Sequence, residues 1–542
     1  MNLIDAARRP FRRRGTSLVD VVADSLTRSS PSLALVVDGD AEDIRQRFVA
    51  RLPQARIVVV PGELAADERH VLMAARGRFD AIVAATRPER ATEVFKQTFF
   101  HLRQGGSYVC HVPTGPPHEL LEFLDRLAIV RRGEAVDETA DVVAIARAAG
   151  EARLASQAVL VPLRGGSGWA KLRDIETNRW LSLAPDGRGD VIATLPAVSF
   201  DSRCELRQSE SEESHRHRDR FDVPELNLRR YDNVVCAPGQ VVVQQNVLLP
   251  DTYRHNDRAR LRNSFTRDLE MRFARPKAAL GNPEPLPGEF FHLDSEFRGH
   301  FGHMITEQLS RLWAYQRAKQ EAPGLKALLF TNRRPELLDY ERRFYQAAGV
   351  PADDLVLVGG PARVDRLYAA SPMFVQPAFA HPDISAVWSS LAEGILPLAT
   401  DRTLPKRFFC ARRNDKRACT NAGEVEAFFA ERGFAIVYPE DYSLGDQARL
   451  FRGAELIAGW AGSALFNLIY ADEPKRVVMV SSEYYTAKNE YVISSVLGHR
   501  LSIAWCRPDL AAAGEVRKRL QTPFRFDARR EGVWLADELA DS

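Results

Sequence analysis

The chain is short of long apolar runs, of cysteine and of net charge, and each shortage removes a class of protein. No hydrophobic stretch approaches the ~18 residues of a membrane-crossing helix. The opening MNLIDAARRPFRRRG has arginines with no apolar segment behind them, so no secretory leader is expected. The six cysteines (Cys110, Cys204, Cys236, Cys410, Cys419 and Cys506) show no CxxC or metal spacing. That is the usage of reduced thiols in a cytoplasmic protein, not of a disulfide framework. Lys plus Arg number 74 against 72 Asp plus Glu, a net +2, so no global field draws in nucleic acid or an anionic membrane. Arg8, Arg9, Arg12, Arg13 and Arg14 read as a basic tail over residues 1–16, and weak contact with acidic lipid heads is the alternative use for them.

What is present is ordinary globular material, 45% hydrophobic and 27% charged. At ~150 residues per domain, 542 residues predict roughly three or four domains. Over 17–150, LALVV (Leu33 to Val37), RIVVV (Arg56 to Val60), FDAIVAA (Phe79 to Ala85) and SYVCHV (Ser107 to Val112) alternate with helical stretches. The clearest helix is ERATEVFKQTFFHLRQ, with Gly105 and Gly106 as its stop. This is an α/β pattern for a parallel sheet, a Rossmann-like unit. Its order resembles the class I methyltransferase core. The turn after the first strand, Asp38 to Glu42, carries three carboxylates and one glycine where a cofactor would need a bare backbone. A degenerate, non-catalytic domain is the expectation, and an active methyltransferase the alternative.

Residues 151–227 read as a connector with a small β element, since GGSG (Gly165 to Gly168), PDGRGD (Pro185 to Asp190) and SESEESHRHRDR (Ser209 to Arg220) break up short strands. His215 and His217 lack ligand partners at metal spacing and read as solvated linker. Two further Rossmann-like units follow, 228–400 and 401–510, with a helical tail over 511–542.

Paired α/β units place ligands beyond the carboxyl ends of their strands, and three clusters stand there. In FRGHFGHMITEQLSRLWAYQ, His303 and Glu307 are four apart on a helix, one face and within reach of each other. They form an acid–base pair or a plain surface pair, and a metal reading with His300 lacks a further ligand. In KRFFCARRNDKRACTN, Arg412 and Arg413 follow a strand and suit a diphosphate, with Lys416 and Arg417 adding charge. A generic basic loop is the alternative. In ELIAGWAGSALFNLIYADEP, Gly459, Gly462 and Ser463 lead a buried strand into an apolar helix, an arrangement that offers free amides to an anion.

Together the GHFGHMITEQLSRLW helix, the strand-ARR element with TNAGEVEAFFAERGF, the phrase YPEDYSLGDQARLFRGAELIAG, and WAGSALFNLIYA resemble glycosyltransferase family 61 over roughly 228–505. The resemblance implies a GT-B fold: 228–400 as the acceptor-side lobe, 401–510 as the nucleotide-sugar lobe, and a separate Rossmann-like domain ahead of both. It implies inverting, metal-independent transfer from a nucleotide-sugar to a hydroxyl of a glycan or other acceptor, in capsular-type polysaccharide biosynthesis, with no cofactor beyond the donor. Carried over by position, Glu307 is the base, oriented by His303. Arg412, Arg413, Asn421, Gly462, Ser463 and Asn467 bind the nucleotide-sugar. Ala422 and Ala461 depart from residues common in the family (Glu and His). A glycan-assembly scaffold without turnover is the third reading.

Overall fold

The computed structural model describes residues 17–111, 117–134, 137–155, 158–184, 187–332, 334–413, 417–511 and 519–540; the basic tail and Lys416 lie outside them. The chain divides into two compact units. One is Met1–Val191, Arg230–Gly288 and Gly360–Leu367; the other is Ile192–Arg229, Glu289–Gly359 and Tyr368–Ser542. Both are mixed α/β.

The first unit carries a six-stranded sheet in the spatial order Arg56–Pro61, Ser32–Val37, Phe79–Ala85, Leu102–His111, Ala158–Pro162, Arg153–Ala155. The first four are parallel and the last two antiparallel. Every residue of Ser32–Val37 is buried, as a central parallel strand covered on both faces requires. One element departs from the sequence reading. The helix after Phe79–Ala85 ends at Thr98, and Gly105 and Gly106 lie inside the next strand instead of stopping a helix. Pairing jumps from Phe79↔Leu102 to Ala81↔Ser107, a bulge that leaves Gly105 at φ +81°.

Beyond the end of Ser32–Val37 the acidic side chains are engaged by the chain's own donors. Asp38 accepts from the Arg87 amide at 2.7 Å and from Arg90 at 3.2 Å, and Glu63 accepts from the Gly39 amide at 2.6 Å. A second sheet in this unit includes Trp169–Lys171, Val241–Gln244, Val247–Leu248, Thr266–Glu270 and Phe273–Pro276. The apolar residues around Cys236 form a hairpin, with Cys236 opposite Val242.

The second unit holds a six-stranded parallel sheet in the order Glu205–Gln208, Arg500–Cys506, Arg476–Ser482, Leu456–Trp460, Arg407–Cys410, Ala435–Val437. Residues expected as connector thus supply its edge strand. His215 is not simply solvated, because its ring stacks on Trp505 at 3.6 Å. Alternation along these strands splits the core into two faces. Phe408, Ile457, Val477 and Leu501 pack with Leu309 and Leu465; Phe409, Ala458, Val478 and Ala504 pack with Phe429, Phe524, Phe526 and Leu535. The helix Glu531–Ala540 therefore packs back on the sheet. A further parallel run, with Phe290–His292 beside Lys326–Phe330 and Leu355–Val358, belongs to the same unit.

Chain order reverses at Arg407–Cys410. The next strand in sequence, Ala435–Val437, lies on one side of it, and the one after, Leu456–Trp460, on the other. A crevice at such a reversal, beyond the carboxyl ends, is where open parallel sheets hold ligands.

Candidate functional site

At that reversal lies a chamber of about 440 Å3. Its floor is the strand ends, Cys410 to Arg412 and Trp460 to Ser463; His300, Gly302, His303 and Gln376 form another wall, and Arg417, Tyr485 and Asn489 a third.

His303 reaches the chamber from an irregular helix. A short α-turn at Phe301–His303 widens into a π-turn at Met304–Gln308 and tightens into 3₁₀ turns at Leu309–Ala314. Such insertions recur at functional sites because they re-aim side chains. The Nδ1 of His303 is 2.8 Å from Glu307 Oε2, and its ring stacks on Phe297 at 4.5 Å. Glu307 is 4% exposed and is not part of the chamber wall. The Gln376 amide donates to its Oε1 at 3.4 Å. The expected order of the pair is therefore reversed: His303 faces the chamber and Glu307 is the buried acceptor behind it. A glycine at 302 is needed for this approach, since a Cβ there would stand 2.9 Å from Ser463 Cβ.

The two strand-end arginines part company. Arg412 turns inward, donating to Ala461 O at 3.3 Å and to the Arg417 carbonyl. Burial, with the neighbouring Arg417 charge adding, lowers its pKa to about 10. It remains a cation at neutral pH with little water of its own, which is a strong anion-binding state. Arg413 turns away and is 53% exposed. It grips Asp441 through two bonds of 2.7 and 2.6 Å and lies 4.2 Å over the Tyr438 ring. The cation that takes its place is Arg417, which lies over Tyr485 at 4.4 Å and lines the chamber.

The glycine turn also differs from expectation. Gly462 has φ +143° and ψ −173°, a conformation open essentially to glycine alone. A Cβ there would lie 3.2 Å from the Arg417 guanidinium. Its amide is not free, because it donates to Glu490 Oε1 at 2.7 Å. The segment after it, Ser463–Tyr470, is a run of 3₁₀ turns rather than an α-helix. Ser463 lines the chamber; Asn467 is buried below, its Nδ2 donating to Gln447 Oε1 at 3.2 Å and to Ala464 O at 3.0 Å. Asn421 is not in the chamber. It accepts from the Phe526 amide at 3.0 Å and donates to the Phe526 carbonyl at 2.9 Å and to Glu424 at 2.8 Å, pinning a helix start to the C-terminal segment. Among the described residues no three His, Cys, Asp or Glu side chains gather as a metal site.

Gly462→Ala is expected to lose ~1–3 kcal/mol of stability from backbone strain alone, read as a lowered urea midpoint, and to push Arg417 off Tyr485. Glu490 and Tyr485 were not singled out in the sequence because nothing local marks them; each matters through a contact far along the chain. Burial raises the Glu490 carboxyl to about 7, against the opposing pull of the Gly462 amide, Arg417 and Tyr485 OH. A carboxyl raised above its ordinary 4.5 adds stability that is complete below that pH and is lost as pH rises through about 7. Glu490→Gln should flatten the stability profile between those two values, measured by urea melts at several pH values.

The second unit is thus an α/β architecture in which His303, backed by Glu307, shares a chamber with the half-buried Arg412 and Arg417. A family profile described as Glycosyltransferase 61 matches residues 301–478, about a third of the chain. The match takes in His303, Glu307, Arg412, Arg417, Gly462, Ser463 and Asn467. No curated protein matches the sequence. Among solved structures, the MycE methyltransferase from the mycinamycin biosynthetic pathway, in complex with Mg and SAH, is 16% identical over 26% of this chain and 42% of its own, with a TM-score of 0.21. The chain thus spans less than half of that protein. The release-factor-specific protein-(glutamine-N5) methyltransferase from Alicyclobacillus acidocaldarius is 16% identical over 27% of this chain and 90% of its own, with a TM-score of 0.19. Among the described residues no helix is long and apolar enough to cross a membrane.

Proposed function

We propose that the second unit is an inverting glycosyltransferase of GT-B type, moving a sugar from a nucleotide donor to a hydroxyl of a glycan or other acceptor. The observation that carries this reading is His303, backed by Glu307, sharing one chamber with Arg412 and Arg417. The profile match over 301–478 supports the same reaction class.

In this mechanism the acceptor hydroxyl lies against His303 Nε2, which takes its proton as the C–O bond forms at the anomeric carbon. Glu307 holds the Nδ1–H and stabilises the imidazolium, as a buried carboxylate does for a catalytic histidine. The leaving diphosphate departs on the opposite face, so configuration inverts. Arg412, Arg417 and Ser463 supply the charge and hydrogen bonds that stabilise it, most strongly as the glycosidic bond breaks. Two fixed guanidiniums supply positive charge of the kind a bound cation would otherwise provide. We read the product as part of polysaccharide biosynthesis in the cytoplasm, with nucleotide-sugar and glycan as the partners.

The first unit enters this reading as a non-catalytic companion, because Asp38, at the strand end where a methyl donor would lie, is bound to Arg87 and Arg90. Calorimetry with nucleotide-sugars, free nucleoside diphosphates and S-adenosylmethionine tests it. Binding of a nucleotide ligand, with sugar transfer on adding acceptor, is the expected result. Binding of S-adenosylmethionine alone would overturn it, and donor binding with neither hydrolysis nor transfer would favour a scaffold.

A further inference from the structure

Gln376 lines the chamber on the same wall as His303, and the transfer mechanism leaves its side chain without a task. We propose that Gln376 Oε1 determines acceptor specificity: it takes a hydrogen bond from a second hydroxyl beside the one that His303 deprotonates, so the acceptor is a sugar with that neighbouring hydroxyl free. The inference rests on the transfer reading above and adds the chemical class of the acceptor and the residue that reads it.

The backbone fixes where this side chain starts. Phe374–Val375 pairs antiparallel with Phe379–Ala380, Val375 opposite Phe379, and Gln376 opens the tight turn between them. From that turn the Gln376 backbone N–H donates to Glu307 Oε1 at 3.4 Å, while Glu307 Oε2 holds His303 Nδ1 at 2.8 Å. One buried carboxylate thus grips both residues, one on each oxygen, and sets them side by side.

The side-chain amide has a single orientation. Its Nε2 donates to Thr306 Oγ1 at 2.6 Å and to Gly302 O at 3.3 Å. Thr306 spends its own proton on Gly302 O, also at 2.6 Å, so a flipped amide would set Oε1 against two acceptors. Both amide protons are therefore turned into the wall, and Oε1 is the polar atom left for the chamber. No donor among the described residues bonds it, and, unlike Asn467 Oδ1, it is not sealed from open space.

An amide oxygen only accepts, so its partner must bring a proton. In-line displacement puts the acceptor on the side of the base and the departing diphosphate on the side of Arg412 and Arg417, so a group beside His303 meets the acceptor. A sugar offers a hydroxyl next to the attacked one. A lone alcohol offers none, and would leave Oε1 desolvated and unpaired, at a cost of about 10–100-fold in binding. A neutral amide also reads this hydroxyl without placing a second negative charge beside Glu307.

The test uses the full chain with the common UDP-, GDP- and CMP-sugars as donors, methyl glycosides of the common hexoses as acceptors, and the monodeoxy analogues of the best glycoside. Release of nucleoside diphosphate is followed with and without acceptor. Removing one hydroxyl next to the glycosylated position should lower kcat/KM by about 10–100-fold, and removing more distant ones should have the smaller effect. Gln376→Met, which keeps the length and drops the amide, should no longer distinguish the parent glycoside from that deoxy analogue, and its ratio of transfer to donor hydrolysis should fall. If the variant does not fold, the deoxy series on the natural chain decides alone. Equal rates for the parent and its neighbouring deoxy analogues would overturn the inference and leave His303 as the base. A variant whose transfer and hydrolysis fall together, with discrimination intact, would place Oε1 on the donor sugar and overturn it as well. Donor binding with transfer to no glycoside would remove the sugar acceptor while the donor reading stands; if no nucleotide-sugar binds, the transfer reading itself fails and takes this one with it.

Discussion

Replacing His303 by alanine should lower the rate of sugar transfer by about 10²–10⁴-fold, the span of general base catalysis, while the donor dissociation constant stays within about threefold. The reason is geometric. His303 is 2.8 Å from Glu307 and is the member of the pair that reaches the chamber. Glu307→Gln should also be slow, because an amide at Nδ1 can stabilise the wrong tautomer and cannot balance the imidazolium. The two variants are told apart by added imidazole. It can occupy the space left by the His303 ring and restore part of the rate in His303→Ala, and it has no vacated ring to fill in Glu307→Gln. Rescue of the glutamate variant alone, or a histidine variant with more than a tenth of the normal rate, would return the base role to Glu307.

Arg412→Lys should weaken nucleoside diphosphate binding by about 10–100-fold, the worth of a charge-assisted bond to a buried site. A lysine keeps the charge and loses the planar fork that bonds Ala461 O and the Arg417 carbonyl while facing the ligand. Donor affinity by calorimetry, taken with a urea melt of the same variant, separates lost binding from lost folding. Arg413→Lys serves as the contrast. Its partners are Asp441 and Glu440, so its effect should be the smaller. Equal losses in the two variants would contradict the division of labour drawn here.

Much of the fold is legible in the sequence where apolar period and turn residues agree. Phe79–Ala85 and Leu456–Trp460 fall where their patterns place them. Only the start of the strand Leu102–His111 was hidden, because a bulge accommodates Gly105 and Gly106, whereas adjacent glycines ordinarily end a helix. The candidate site was legible as residue types beyond strand ends, which is how His303, Arg412 and Ser463 were singled out. Orientation was not legible. Whether Arg412 or Arg413 points inward depends on Asp441, 28 positions away. That Gly462 spends its amide on Glu490 depends on a residue beyond the next strand. Asn421, carried over as a ligand from the family resemblance, clamps Phe526 through its side-chain amide.

The strand Arg500–Cys506 pairs along its whole length with Arg476–Ser482 and in turn carries Glu205–Gln208, while Phe524 and Phe526 close the face beneath Trp460. Arg500–Cys506, Glu205–Gln208, Phe524 and Phe526 lie outside 301–478, and Arg476–Ser482 straddles its end. A truncated protein confined to that stretch would present a long naked hydrogen-bonding border and a greasy underside to water, and would clump rather than fold. Recombinant work on the proposed transfer reaction therefore needs the polypeptide from before Glu205 through Ala540, however tempting the shorter matched piece.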